Sequence, residues 1–225
     1  NGGIISTSLI FKDETSVVAS EKGTILIKMQ EQTEDTDFFP STLGTTVIIS
    51  HEDELLSVYG NLDSKSVSTH LQGKKIVEKK ETIGITGNSA WQKNKNSLEF
   101  QIIDTKKNSA INPKVLLPRM ESELPLYVTN VIIKNKNNVS YELSKQKNFP
   151  SGFYRIYQLK NDLTNPYKTV LSLNGVIIDQ INYDAINHEN NKIYLSGKKK
   201  YTTSDIYPEN NLQLLGEVSF TPGKS

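Results

Sequence analysis

The feature that most constrains this chain is a rhythm. Short β-branched and apolar runs are cut by turn residues about every 8–12 positions, the pattern of an all-β fold. Ser16-Val17-Val18-Ala19, Thr24-Ile25-Leu26-Ile27, Thr45-Thr46-Val47-Ile48-Ile49, Leu56-Ser57-Val58-Tyr59, Ile83-Gly84-Ile85 and Leu98-Glu99-Phe100-Gln101-Ile102-Ile103 are such runs. Between them stand Glu21-Lys22-Gly23, Gly60-Asn61, Thr86-Gly87-Asn88 and Asn112-Pro113, residues that tolerate positive φ or fix it near −65°. No stretch holds an amphipathic helical period for more than about two turns. Two antiparallel all-β domains are therefore expected.

The boundary falls where prolines bracket a polar stretch, Leu117-Pro118-Arg119-Met120-Glu121-Ser122-Glu123-Leu124-Pro125. Prolines there block ladder donors and favour extended chain. This reading gives a first domain over 1–118, a linker over 119–126 and a second domain over 127–225. Strands are expected at Tyr127 to Lys134, Phe153 to Leu159, Thr169 to Leu173, Val176 to Ile178, Lys192 to Leu195 and Leu212 to Phe220. Asn174-Gly175 between two apolar runs is the strongest hairpin signal, because both central residues of a type I′ turn need positive φ. About 100 residues with about seven short strands points to an immunoglobulin-like β-sandwich without the cysteine pair. The last residues, Thr221-Pro222-Gly223-Lys224-Ser225, read as a turn toward a further strand, so an open sheet edge is expected.

Composition removes several classes of function. Lys+Arg 26 against Asp+Glu 25 leaves +1, too little field to draw the chain to nucleic acid or an anionic membrane. Only Arg119 and Arg155 are arginines, so the planar forks that read guanine are nearly absent. No apolar run approaches the roughly 18–20 residues of a spanning helix. With no cysteine, disulfides, cysteine nucleophiles and cysteine-rich zinc sites are all excluded. The start at Asn1, without Met or a signal-peptide pattern, reads as a mature or trimmed form.

Across the first half, Asn1-Gly2-Gly3-Ile4-Ile5, Ser16 to Ile25, Leu43 to His51, Ser57 to Leu62, Gly73 to Gly84, Leu98 to Ile102 and Asn112-Pro113 follow one another in a familiar order and spacing. This order resembles the LytM/lysostaphin-type zinc metallopeptidases. The resemblance implies an H-x-G-I-D segment and the second histidine of an H-x-H strand as zinc ligands. The first histidine of H-x-H and the one in Y-x-H-L would assist catalysis. Carried across, the first ligand position is Asn1 and the aspartate position Ile5. The Y-x-H-L histidine becomes Asn61, and the H-x-H pair becomes Ser97 and Glu99. A gap-free register through the first strand puts Ile4 and Ser8 at the ligand positions instead, and it too lacks His and Asp.

Coordination chemistry agrees, since a catalytic zinc takes about three protein ligands from His, Asp, Glu or Cys and an open position. The 3 histidines, His51, His70 and His188, form no H-x-H or H-x-x-x-H cluster. His51 reads as a turn or surface residue at a strand end, His70 as a solvated loop residue, and His188 as solvated among asparagines. Glu99 is the one substitution keeping a ligand-capable atom, with a plain outward-facing strand residue as its simpler reading. Gln101 stands where active members usually show glutamate.

By the same resemblance, Phe38, Phe39, Tyr59 and Trp91 are candidate groove-wall contacts. Phe38 and Phe39 end an acidic stretch (Glu31, Glu34, Asp35, Asp37) and either pack onto the domain or meet a partner. Trp91 either stacks on a sugar or buries against the sheet. Lys74, Lys75, Lys79 and Lys80, interleaved with Glu78 and Glu81, read as a solvated hairpin face or a contact for anionic wall polymer. Lys198-Lys199-Lys200 reads as an exposed turn or a contact for an acidic partner.

Together these readings describe a non-catalytic LytM-like protein, without a cofactor, in the periplasm or outside the cell. Its partners would be peptidoglycan or a cell-wall hydrolase or envelope protein, met through a vestigial groove. Asparagine and serine in that groove would donate and accept hydrogen bonds to a peptide stem. The rivals are an active zinc endopeptidase with altered ligands and a structural envelope assembly protein.

Overall fold

A computed structural model describes residues 15–30, 41–90, 96–117, 126–128, 130–143, 145, 148–160, 166–209 and 211–222, together with the backbone of 9–12. The fold is all-β. The chain divides into two compact units, one over Thr7–Leu117 and one built on Pro118–Ser225.

In the first unit the strands are β1 (Leu9–Lys12), β2 (Ser16–Val18), β3 (Gly23–Met29), β4 (Thr46–Ser50) and β5 (Leu55–Gly60), followed by helix α1 (Ser64–Leu71). Strands β6 (Ile76–Val77), β7 (Thr82–Ile85), β8 (Ser97–Asp104) and β9 (Ser109–Ile111) and the turn of helix α2 (Pro113–Leu116) complete it. The main sheet runs β9-β8-β5-β4-β3-β6, with β1 pairing the first half of β8 and β2 pairing β7 apart from it. Strand β8 shows why these residues form a sheet. Leu98, Phe100 and Ile102 point into a core with Val47, Ile49, Tyr59, Leu62 and Ile83, while Glu99 and Gln101 alternate to the other face. Burying such side chains contributes about 1.5–3 kcal/mol each.

Helix α1 differs from the loop expected around His70. Its only buried residues, Val67 and Leu71, are four apart, so the apolar stripe is one pair long. Asp63 Oδ1 caps it by accepting the Ser66 amide at 2.7 Å. His70 sits exposed in the last turn. Packing, not propensity, makes this Ser/Thr-rich segment helical.

The second unit holds β10 (Ile132–Asn135), β11 (Ser140–Glu142), β12 (Gly152–Leu159), β13 (Lys168–Leu173), β14 (Val176–Asn182) and β15 (Ala185–Glu189). Strand β16 (Lys192–Ser196), β17 (Lys200–Thr202), helix α3 (Thr203–Ile206) and β18 (Leu212–Phe220) follow. One sheet has the order β11-β10-β12-β18, and β13–β14 and β15–β16–β17 are antiparallel hairpin and meander. Tyr127 and Val128, expected at a strand start, lie outside a strand and are exposed. At the β13–β14 turn Asn174 and Gly175 have φ of 51° and 80°, as the hairpin signal required. Asn190 and Asn191, at 49° and 58°, turn β15 into β16 in the same way.

Inside this unit a buried carboxylate ties three strands. Asp179 on β14 accepts the amides of Gln180 at 2.7 Å and Glu217 at 2.6 Å, and the Tyr201 hydroxyl at 2.6 and 2.7 Å. Both Asp179 and Tyr201 are almost fully buried, so this charge depends on its donors. Replacing Tyr201 with Phe is expected to lower stability by about 1–3 kcal/mol. Urea unfolding would show the midpoint falling with an unchanged slope.

Candidate functional site

The site positions lie where β5 ends, where β7 turns back, and where β8 begins. After Gly60 the chain enters a left-handed turn at Asn61, φ 61°, a conformation Asn adopts more readily than other side-chain-bearing residues. Strand β8 enters beside it, with Gly60 opposite Glu99. The turn after β7 closes the third side, since the Gly87 amide donates to Asn61 O at 2.7 Å and Gly87 O accepts the Ser97 amide at 3.2 Å. Gly87 is there because of close approach: a Cβ would meet the Leu62 carbonyl carbon at 2.5 Å and the Asp63 nitrogen at 2.5 Å.

Asn61 and Ser97 are brought together. Asn61 Nδ2 donates to Ser97 O at 2.7 Å, Ser97 Oγ at 2.9 Å and Gly87 O at 2.9 Å. Asn61 Oδ1 accepts the Ala90 amide at 2.8 Å. Exposure of 1% for Asn61 and 2% for Ser97 puts both below the surface, so the expectation that they meet a peptide stem is corrected. Their hydrogen-bonding groups are turned inward to close backbone, as buried polar groups require. Ser89 buttresses the same corner: its Oγ accepts the Thr45 amide and donates to Leu62 O, each at 2.9 Å.

Glu99 is half-buried on the other face of β8 and accepts the side-chain amide of Gln101 at 2.8 Å. The neighbouring positions on that face are apolar, Val58 opposite Gln101 and Ile48 opposite Val58. Asn1, Ile5, Phe38, Phe39 and Trp91, as well as Ile4 and Ser8, lie outside the described residues. Tyr59, expected on the groove wall, belongs to the core. It is 2% exposed, its ring centroid lies 5.1 Å from that of Phe100, and its hydroxyl donates to Ser20 Oγ at 2.9 Å and accepts the Ser20 amide at 2.7 Å.

The histidines stand apart. His51 is a clamp: Nδ1 lies 2.8 Å from Lys22 O, and Nε2 lies 2.8 Å from Ser57 Oγ. Because a carbonyl oxygen only accepts, Nδ1 carries the proton and Nε2 accepts from the hydroxyl. His70 and His188 are exposed. Among the described residues no group of three or more His, Cys, Asp or Glu could hold a metal ion.

Of the zinc-ligand positions that the resemblance implies, Glu99 alone is among the described residues, and it offers a single carboxylate; at the two positions implied to assist catalysis stand the Asn61 amide, which directs N–H donors at carbonyl oxygens and its own oxygen at an amide, and the Ser97 hydroxyl.

Two of the four cluster lysines, Lys74 and Lys79, are ion-paired. Lys74 pairs with Glu81, Lys79 with Glu21 at 2.7 Å, and Lys22 with Glu78 at 2.9 Å. The hydrogen bond from Lys74 holds the Glu81 carboxyl below its ordinary value, and Lys79 does the same to Glu21. Such exposed pairs add little stability. In the second unit Lys199 pairs with Glu217 at 2.8 Å, Lys200 with Glu189, and Lys198 Nζ donates to Ile178 O at 2.9 Å.

With this geometry in place, the comparisons identify the first unit. Residues 6–113 match the profile of peptidase family M23, and residues 125–225 match a separate profile. The first half of the chain is thus an M23 domain, of the LytM type. Among solved structures, the catalytic domain of the prophage-encoded M23 protein EnpA from Enterococcus faecalis is similar at 17% identity and a TM-score of 0.34. That match covers 44% of this chain and 68% of the other. Lysostaphin is similar at 13% identity and a TM-score of 0.38, covering 94% of this chain and 86% of the other. No curated protein sequence matches the chain significantly.

Close approach at Gly87 gives a direct check. Gly87→Ala is expected to cost about 1–3 kcal/mol, because a methyl group there collides with backbone rather than a movable side chain. Thermal unfolding would register the loss.

Proposed function

We propose that this protein is a non-catalytic cell-wall module of the bacterial envelope. In this reading the M23 domain binds peptidoglycan, or a hydrolase that acts on it, without cleaving peptide bonds. The observation that carries the reading is the set of side chains: where the resemblance puts three imidazoles, this chain presents an amide committed to its own backbone, a buried hydroxyl and one carboxylate. A carboxylate without imidazole partners neither holds zinc firmly nor lets it polarise a carbonyl.

The contact surface in this reading is the Glu99 face of β8 rather than the Asn61–Ser97 floor. Glu99 and Gln101 form a carboxylate–amide pair able to meet a peptide backbone, with Ile48 and Ile103 half-buried on the same sheet. The second unit, read as an immunoglobulin-like sandwich spanning 127–225, would carry the M23 domain beside its partner. One feature favours the sandwich: the Tyr154 hydroxyl donates to Pro150 O at 2.8 Å, the reach of a tyrosine corner.

Two measurements test the proposal. Metal analysis after incubation with zinc is expected to find no stoichiometric ion, with no cleavage of peptidoglycan stem peptides. One tightly held zinc per chain with cleavage would replace this reading by that of an active endopeptidase. In sedimentation with purified peptidoglycan, Glu99→Ala and Gln101→Ala are each expected to weaken retention about 5-fold or more, the loss of a charge-assisted contact. Retention equal to the parent in both variants would remove this face from the reading.

A further inference from the structure

We infer that the β13–β14 hairpin of the second unit is a membrane-touching tip, whose apolar end enters the headgroup layer of a bilayer carrying anionic lipid. The inference stands on the second unit alone and is independent of what the M23 domain binds.

The base of the hairpin is anchored. Leu171 and Ile178 pack against the cluster of Ile133, Tyr154 and Val218. Leu171 and Asp179 lie so close to Gly216 of β18 that a Cβ there would meet their Cβ atoms at 3.1 and 3.3 Å. Asp179 fastens the same level by accepting the Glu217 amide and the Tyr201 hydroxyl. Beyond this level the strands run on to Asn174-Gly175 with little to cover them. Leu173, Val176 and Ile177 are 42, 65 and 61% exposed, and Val170 behind them 46%. Neighbouring aliphatic side chains left in water on one protrusion mark a contact surface.

The register shows what such a tip suits. Leu173 pairs with Val176 and Ser172 with Ile177, and directly opposed residues share a face while successive ones alternate. Leu173 and Val176 therefore lie on one face of the tip and Ile177 on the other, so apolar surface points both ways. A flat protein partner covers one face only. A tip two strands wide also falls far short of the roughly 20–30 residues a side of a standard protein interface. A bilayer surrounds whatever enters it and sets no such minimum. From Leu171 the strand continues to Leu173 at the turn, roughly 7 Å at the rise of a strand and within the ~5–10 Å that interfacial segments reach.

Charge fits the same occupant. Lys198 Nζ donates to Ile178 O at 2.9 Å, which sets the ammonium group of an exposed lysine beside the apolar end. Lys168 is exposed at the start of β13. Asp179, the one carboxylate of the hairpin, is buried among its donors. A cation bordering an apolar end matches anionic headgroups, because the ammonium stays among them while the aliphatic side chains go deeper. With a net charge of +1 the chain as a whole has little pull, so apolar insertion holds the contact and Lys198 sets its lipid preference.

Co-sedimentation of the full-length chain with phosphatidylcholine vesicles, with and without phosphatidylglycerol, tests this. The parent is expected to bind vesicles holding phosphatidylglycerol and to bind phosphatidylcholine alone more weakly. Val176→Ser combined with Ile177→Ser is expected to weaken both about 10-fold or more. Lys198→Gln is expected to weaken binding only where phosphatidylglycerol is present, about 3-fold or more. Because the chain has no cysteine, Ile177→Cys accepts a polarity-sensitive fluorophore at one site, and its emission is expected to shift to the blue with vesicles. This signal decides the matter even where the double variant does not fold. A parent that stays in solution, a folded double variant that binds like the parent, a Lys198→Gln variant that keeps the full preference, or a label that keeps its aqueous emission would overturn the inference. Peptidoglycan retention through the Glu99 face is read in a separate assay, so each reading fails on its own.

Discussion

A single buried amide sets the geometry of the M23 domain's site. Asn61 lies where three backbone segments converge, and its contacts with Gly87, Ala90 and Ser97 decide how closely they approach. Close approach in turn demands glycine at 87, because the Leu62 and Asp63 backbone occupies the space a Cβ would need. The same contacts consume the polar groups that would otherwise face a ligand. Structural order at this corner thus has one cause: the polar groups of a buried side chain are satisfied by backbone of its own fold.

The second unit solves a similar problem with the opposite polarity. Asp179 is an acceptor hub, gathering two backbone amides and the Tyr201 hydroxyl, where Asn61 is mainly a donor hub. In both, strands that are distant in sequence are joined by a polar group whose burial penalises every alternative arrangement. Apolar packing alone is less selective, since a core of Leu, Ile and Phe tolerates many registers. The His51 clamp between Lys22 O and Ser57 adds a smaller joint of this kind at the edge of the first sheet. Charged surface residues contribute in another way. Of the lysines that looked like a polyanion contact, Lys74 and Lys79 are paired with Glu81 and Glu21.

Much of the β framework was legible because period-two alternation is local. Leu98, Phe100 and Ile102 announce a buried face on β8 before any partner strand is known, and Asn174-Gly175 announces a type I′ hairpin by backbone preference alone. Helix α1 was not legible, since one apolar pair at Val67 and Leu71 is below what a periodic signal can carry. Strand β15 was hidden for a related reason: Asn187-His188-Glu189 gains its extended form from pairing with Tyr194, Ile193 and Lys192, not from its own propensity. By resemblance the sequence pointed to Asn61, Ser97 and Glu99, with Asn61 and Ser97 read as ligand contacts and Tyr59 as a wall, whereas Asn61, Ser97 and Tyr59 are buried. Which way a polar side chain turns depends on neighbours 26 to 39 residues away, and no local pattern records that.

By itself, then, the sequence determined the all-β class of this protein and its strongest hairpin, because each follows from residue type and short-range spacing. Tertiary structure alone decided that Asn61 and Ser97 face inward, that Tyr59 is core, and that Asp179 meets Tyr201. Hydrogen bonds between distant segments form only when folding has brought their partners within about 3 Å, and burial then makes those partners obligatory.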